Sequence, residues 1–170
     1  MGIFDFFKKK KKNNTKNLDI KELIKNDLIK VPEVKFNKID MSGNQLNDYI
    51  KDTSNNNALI KTLPKKDFPP LWGKIVGYHP YPKDFITSMY AVVNHPVIGD
   101  VQKSFVVNCS GIAKLESNHL LLPGEGTWIS FIDLGENKNT DGEIRSYGLA
   151  TLIIDQKTFD MISKVAKMKK

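Results

Sequence analysis

The residues best placed for chemistry lie within 72–82, where Trp72, Lys74, Tyr78, His79 and Tyr81 gather aromatic faces, a histidine and a cation. Flat rings stack on bases and sugars, and a neighbouring ammonium favours an anionic planar ligand. These five residues form a candidate ligand surface. The structural reading of the same stretch carries more weight. In it Trp72, Ile75 and Tyr78 are core or half-buried strand residues, and Pro80 and Pro82 shape the turn that follows.

Other constellations fall short of a reaction. Cys109 follows an apolar run, but a nucleophile elbow needs a glycine on both sides; only the downstream one, Gly111, is present and no helical pattern follows. A buried structural thiol is the expectation. His79, His95 and His119 share no metal-ligand spacing. Asn137, Asn139, Asp141 and Gly142 resemble the first half of a calcium loop, yet the twelfth position is Gly148 where a bidentate glutamate is required. They read instead as a polar hairpin turn built on Asp141-Gly142. Gly124-Glu125-Gly126 lacks the third glycine of a dinucleotide fingerprint. Glu116, Glu125, Asp133, Glu136 and Glu143 are read as solvated surface, because sequence gives no separation across a cleft. The sequence therefore assigns no catalytic residue, no metal ligand and no cofactor.

The net charge of +7 is distributed unevenly. Residues 1–70 hold 15 lysines against 9 acids, whereas residues 71–154 hold 6 basic against 8 acidic residues. Residues 155–170 hold 5 lysines against Asp155 and Asp160. Both ends are basic and the middle is mildly acidic, which leaves little material for a phosphate-tracking surface on the body. At the N-terminus Ile3, Phe4, Phe6 and Phe7 precede the unbroken run Lys8, Lys9, Lys10, Lys11 and Lys12. Wound as a helix, the four apolar residues would share an arc of roughly 160°. So short a helix is marginal in water and forms when a bilayer surface or a partner groove buries it, with the lysines drawn to anionic headgroups. These nine residues are a candidate membrane or partner contact. Folding back onto the body, with the lysines solubilising a loose terminus, is the alternative.

The elements that must position these residues follow from periodicity. Residues 1–17 read as a flexible basic arm and 18–170 as a single globular domain. Ile20, Leu23, Ile24 and Leu28 recur at helical spacing, which predicts a helix over 18–30 between Asn17 and Pro32. Val34 and Phe36 suggest a short strand. Ser42 and Gln45 have capping-box spacing ahead of a second, shorter helix, and the Asn-rich stretch 52–57 reads as a loop. This helical entry ends near residue 63. From residue 71 the texture is β-branched and aromatic, with strands expected at 71–78, 85–93, 103–108, 111–115, 127–133 and 144–154. Asp155 caps a final helix over 156–168, in which Phe159, Ile162, Val165 and Ala166 share a packed face while Lys157, Lys164 and Lys167 face out. The fold class is α+β, mainly β: an antiparallel sheet curled into a barrel or sandwich, with N-terminal helices and a C-terminal helix packed on it.

A lone cysteine forms no intrachain disulfide, and the longest apolar run, 89–93, is far short of a bilayer span. A cytoplasmic protein is the expectation, with peripheral attachment to a membrane one of the roles open to its arm. The leading function is a non-enzymatic accessory module that engages a protein partner. An oligonucleotide-binding barrel is the first alternative, with nucleic acid a lesser partner because the body is acidic; an enzyme whose site is invisible in sequence is the second.

Overall fold

A computed structural model describes residues 33–62, 70–78, 89–95, 103–117 and 119–168. The arm at 1–17, its apolar and lysine residues, and the helix expected over 18–30 lie outside the described residues. In chain order the described elements are β1 (Phe36–Asp40), α1 (Gly43–Thr62), β2 (Pro70–Tyr78), β3 (Tyr90–His95), β4 (Lys103–Asn108), β5 (Lys114–Glu116), β6 (His119–Pro123), β7 (Trp128–Lys138), β8 (Ile144–Ile154) and α2 (Gln156–Met168).

Five strands close a barrel in the order β2-β3-β4-β8-β7, with β7 returning to β2. Alternation explains the closure, because every second residue must leave water together. Ile75, Ala91, Val93, Phe105, Val107, Ile129, Phe131 and Ala150 all point inward and are buried. Phe105 and Phe131 fill the centre with ring centroids 5.0 Å apart. The expected barrel and its mainly β class are thus present. Closure comes from a parallel pair, Val106, Val107 and Asn108 of β4 against Tyr147, Gly148 and Leu149 of β8. The other barrel ladders are antiparallel.

Between β4 and β7 the chain builds β5 and β6, which join β1 in a three-stranded sheet of order β1-β6-β5. Tyr49 of α1, Met89, Leu120 and Leu122 form a second core there. The Tyr49 hydroxyl donates to the Ala113 carbonyl at 3.4 Å. Tyr78 packs against both cores and so fastens the small sheet to the barrel.

Several boundaries differ from the sequence-based expectation for physical reasons. The predicted capping box forms, with Ser42 N donating to Gln45 Oε1 at 2.8 Å. The helix it starts is not short: α1 runs through 52–57, which corrects the loop expected there. Asn, Ser and Thr cost only tenths of a kcal/mol each in a helix interior, roughly up to 0.7, and neither Gly nor Pro interrupts 44–62. The strand expected over 111–115 begins later, because Ile112 N and Ala113 N both donate to Cys109 O at 3.1 Å and hold a tight turn. β6, with Leu120 and Leu122 inward, was not anticipated within 119–123. The strand expected over 127–133 continues to Lys138 through a bulge at Asp133–Gly135, where Gly135 adopts φ 90° and Asp133 Oδ1 accepts from Gly135 N at 2.8 Å.

α2 starts where Asp155 Oδ1 accepts from Thr158 N at 2.6 Å, and bonds from Thr158 hold that carboxyl below its ordinary range. Its packed face is narrower than expected. Thr158 is buried and Phe159 and Ile162 are half-buried, but Val165 is exposed. The side chains of Ala166 and Lys167 lie outside the described residues.

Candidate functional site: a tyrosine-walled groove

The segment singled out in the sequence is divided by the pleat of β2. Trp72 and Lys74 share its outer face, opposite Ser130 and Trp128 of β7. Trp72 is buried nonetheless, with the Trp128 ring 5.5 Å and the His95 ring 5.6 Å away. His95 Nδ1 meets the Trp72 carbonyl, and burial lowers the imidazole pKa below its ordinary value. Lys74 is exposed. Tyr78 lies between the two cores and donates its hydroxyl to the Pro123 carbonyl; burial raises its pKa. His79 and Tyr81 lie outside the described residues. These interactions fix Trp72 and Tyr78 to the frame.

A concavity among the described residues of the barrel lies elsewhere. A groove of ≈ 280 Å³ crosses the outer faces of β3, β4, β8 and β7. Outward positions of paired strands build it. Tyr90 is registered with Asn108, and Asn108 with Leu149. Tyr90 and Tyr147, both half-exposed, wall it; Leu149, 1% exposed, and the backbone of Gly148 form its floor. The bulge that carries Leu134 and Gly135 bends β7 along one side, and Glu136 and Asn137 follow on that strand. Bulges recur beside binding sites because they re-aim a strand in this way.

Its charges are matched internally. Lys103 Nζ lies 3.2 Å from Glu136 Oε1, and Ser146 Oγ donates to the same carboxylate oxygen at 3.4 Å. In the adjoining hairpin Arg145 Nη2 reaches Glu143 Oε2 at 2.7 Å and Asp141 Oδ2 at 3.2 Å. The hairpin itself is the polar turn expected in place of a calcium loop, with Gly142 at φ 87° and Asn139 N bonded to Glu143 O at 2.7 Å. Two carboxylates do converge there, but both are on Arg145 in an exposed turn. Comparison with known proteins finds no matching family model, no matching curated protein and no matching solved structure.

The groove thus presents two half-exposed tyrosines over an apolar floor, while the Asn108 and Asn137 side-chain oxygens already accept from Ser110 N and Lys138 N, each at 2.8 Å. Small sites of this kind are mostly apolar with a few placed polar groups. Among the described residues no group of three His, Cys, Asp or Glu side chains is arranged to hold a metal ion. Among them, too, no helix is long and apolar enough to cross a membrane.

The lone thiol takes no part in the groove. Cys109 is fully buried in the barrel core, and burial pushes its pKa up to about 12. Thiolate is the reactive form, so native protein at pH 8 is expected to leave a disulfide reagent unreacted, whereas the urea-unfolded chain reacts with one equivalent. Rapid stoichiometric reaction of the native chain would place the thiol outside the core.

Sequence reasoning did not single out Tyr90 or Tyr147 and met Asn108, Glu136 and Asn137 only in other connections. A tyrosine at an outward strand position was the available signal. The pairing of β4 with β8, which alone brings Tyr90 and Tyr147 to one groove, joins segments about forty residues apart in the chain.

Proposed function

We propose that this protein is a non-enzymatic binding module that engages a protein partner through the Tyr90–Tyr147 groove. The observation that carries this reading is an aromatic-walled, apolar-floored groove whose rim charges are already matched. Tyrosine supplies large, rigid contact area with a polar tip and is enriched at the centre of protein interfaces. An extended peptide segment that sets an apolar side chain on Leu149 between the two tyrosine rings fits these features. The test is capture of partners from extracts of the source cells by immobilised full-length protein. The partner is then measured against Tyr90→Ala/Tyr147→Ala. Loss of two central tyrosines is expected to weaken binding by about thirtyfold or more, the effect of a hot spot worth roughly 2 kcal/mol. Equal affinity of the double variant would reject the groove.

A specific observation favours a second reading, an oligonucleotide-binding barrel. Five-stranded Greek-key barrels bind oligonucleotides across their second and third strands, and the groove lies partly on β3 and β4, the second and third strands of this barrel. Against it stand the engaged cations Lys103 and Arg145 and the acidic balance of 71–154. Single-stranded DNA titrated at low salt, where electrostatic affinity is greatest, separates the two. Binding abolished by the Tyr90/Tyr147 substitutions would favour the oligonucleotide.

The arm serves this module as an attachment device. Its phenylalanines enter an anionic lipid surface while Lys8 to Lys12 each contribute about 1 kcal/mol of attraction. Deleting residues 1–12 is expected to leave the thermal midpoint nearly unchanged and to lower sedimentation with anionic vesicles by about tenfold or more. Unaltered sedimentation would remove the arm from this role.

A further inference from the structure

We infer that α2 is a second, independent contact with an anionic lipid surface, made by the half of its apolar face that the barrel leaves open. At about 100° per residue, Thr158, Ile162 and Phe159 point toward the packed side, while Met168, Met161 and Val165 fall together in an arc of about 60° beside them. The burial pattern follows that division. Thr158 is buried and Phe159 and Ile162 are half-buried, whereas Met161, Val165 and Met168 are 53%, 55% and 84% exposed. Three large apolar residues at i, i+4 and i+7 make one continuous open stripe, unlike scattered surface apolar residues.

Charge decides what covers it. Exposed Lys157 and Lys164 flank the stripe on its open side, within about 60° of Met161. Lysines beside an exposed apolar stripe are the arrangement of a helix lying in a headgroup layer, where the stems lie along the acyl boundary and the ammonium groups reach phosphate. A second copy of this chain on the same face would set these lysines against their counterparts. The chain's own arm would bring five more lysines against them. Both occupants are disfavoured by like charge; an anionic bilayer is favoured by it. The face of α2 does not include the groove, so membrane contact and partner binding are compatible.

The test reads α2 separately from the arm. In the full-length chain, Met161→Cys or Asp160→Cys carries an environment-sensitive fluorophore, since buried Cys109 does not take the label. Vesicles of phosphatidylcholine with phosphatidylglycerol are compared with phosphatidylcholine alone. The expected result is a blue shift at position 161 with the anionic vesicles, none at position 160 on the exposed polar side, and reversal at high salt. In sedimentation, Met161→Gln/Val165→Gln is expected to reduce partitioning by about tenfold with melting unchanged, because both positions are exposed. Vesicle binding without a shift at position 161 would assign all membrane contact to the arm and overturn the inference. A shift at position 161 that needs no vesicles and grows with protein concentration would overturn it in favour of self-association.

Discussion

Replacement of Phe131 by alanine is expected to destabilise the protein by about 3–5 kcal/mol, against a total of roughly 5–15 kcal/mol for a domain of this size. Phe131 is fully buried, registered between Leu71 on one side and Ala150 on the other, and its ring packs on Phe105 at 5.0 Å. Removing it deletes the transfer energy of the ring and leaves a cavity on the barrel axis. A closed barrel collapses poorly around such a cavity, because each wall strand is held by hydrogen bonds on both sides. Urea titration measures the change, with the midpoint falling and the slope preserved. Phe131→Leu, which keeps most of the volume, is expected to lose less. A loss under about 1 kcal/mol for alanine would mean that Phe105 swings into the space and that the axis is not close-packed.

The barrel itself was legible because inward residues recur at period two with clear turn chemistry between them. The strands over 103–108 and 144–154 and the Asp141-Gly142 hairpin are where local pattern placed them. Local pattern failed where tertiary partners decided the outcome. The Asn-rich stretch 52–57 stayed helical because no breaker interrupts it, and a run of weak preferences does not stop a helix already nucleated by the Ser42–Gln45 cap. β6 escaped notice because Leu120-Leu121-Leu122 is a continuous apolar run, whose alternation exists only once β1 and β5 flank it. The groove was less legible still. Tyr90 and Tyr147 look like ordinary strand tyrosines until the parallel β4–β8 pairing brings their strands together, and no local rule predicts a parallel pair lacking a helical crossover. Trp72, the most conspicuous residue of the sequence, proved to be packed against Trp128 and His95. Conspicuous aromatics are more often held by the frame than offered to a ligand.

Frame and groove meet at Gly148, where the second large effect is expected. Its backbone lines the groove floor, while a Cβ there would point inward, 2.7 Å from Phe131 Cδ2 and 3.1 Å from Val107 Cγ2. Two terms oppose each other on substitution by valine. Strand preference favours valine over glycine by about 1 kcal/mol. Overpacking a full barrel costs about 1–3 kcal/mol or more, and here the first added atom already overlaps the Phe131 ring. Overlap wins, and Gly148→Val is expected to lose about 3 kcal/mol or to fail to fold. Gly148→Ala is expected to fold with a smaller loss, and its cost should shrink in a Phe131→Leu background, where the colliding ring is gone. That coupling, read from a double-mutant cycle in urea, separates overlap with Phe131 from a general intolerance of side chains in β8. The same alanine pushes β8 outward and carries Tyr147 and Leu149 with it, so partner affinity should fall with stability in Gly148→Ala and recover with it in the double variant. If stability recovers and affinity does not, the inward methyl has shifted β8 and the groove wall in a way that relief of the Phe131 overlap does not reverse.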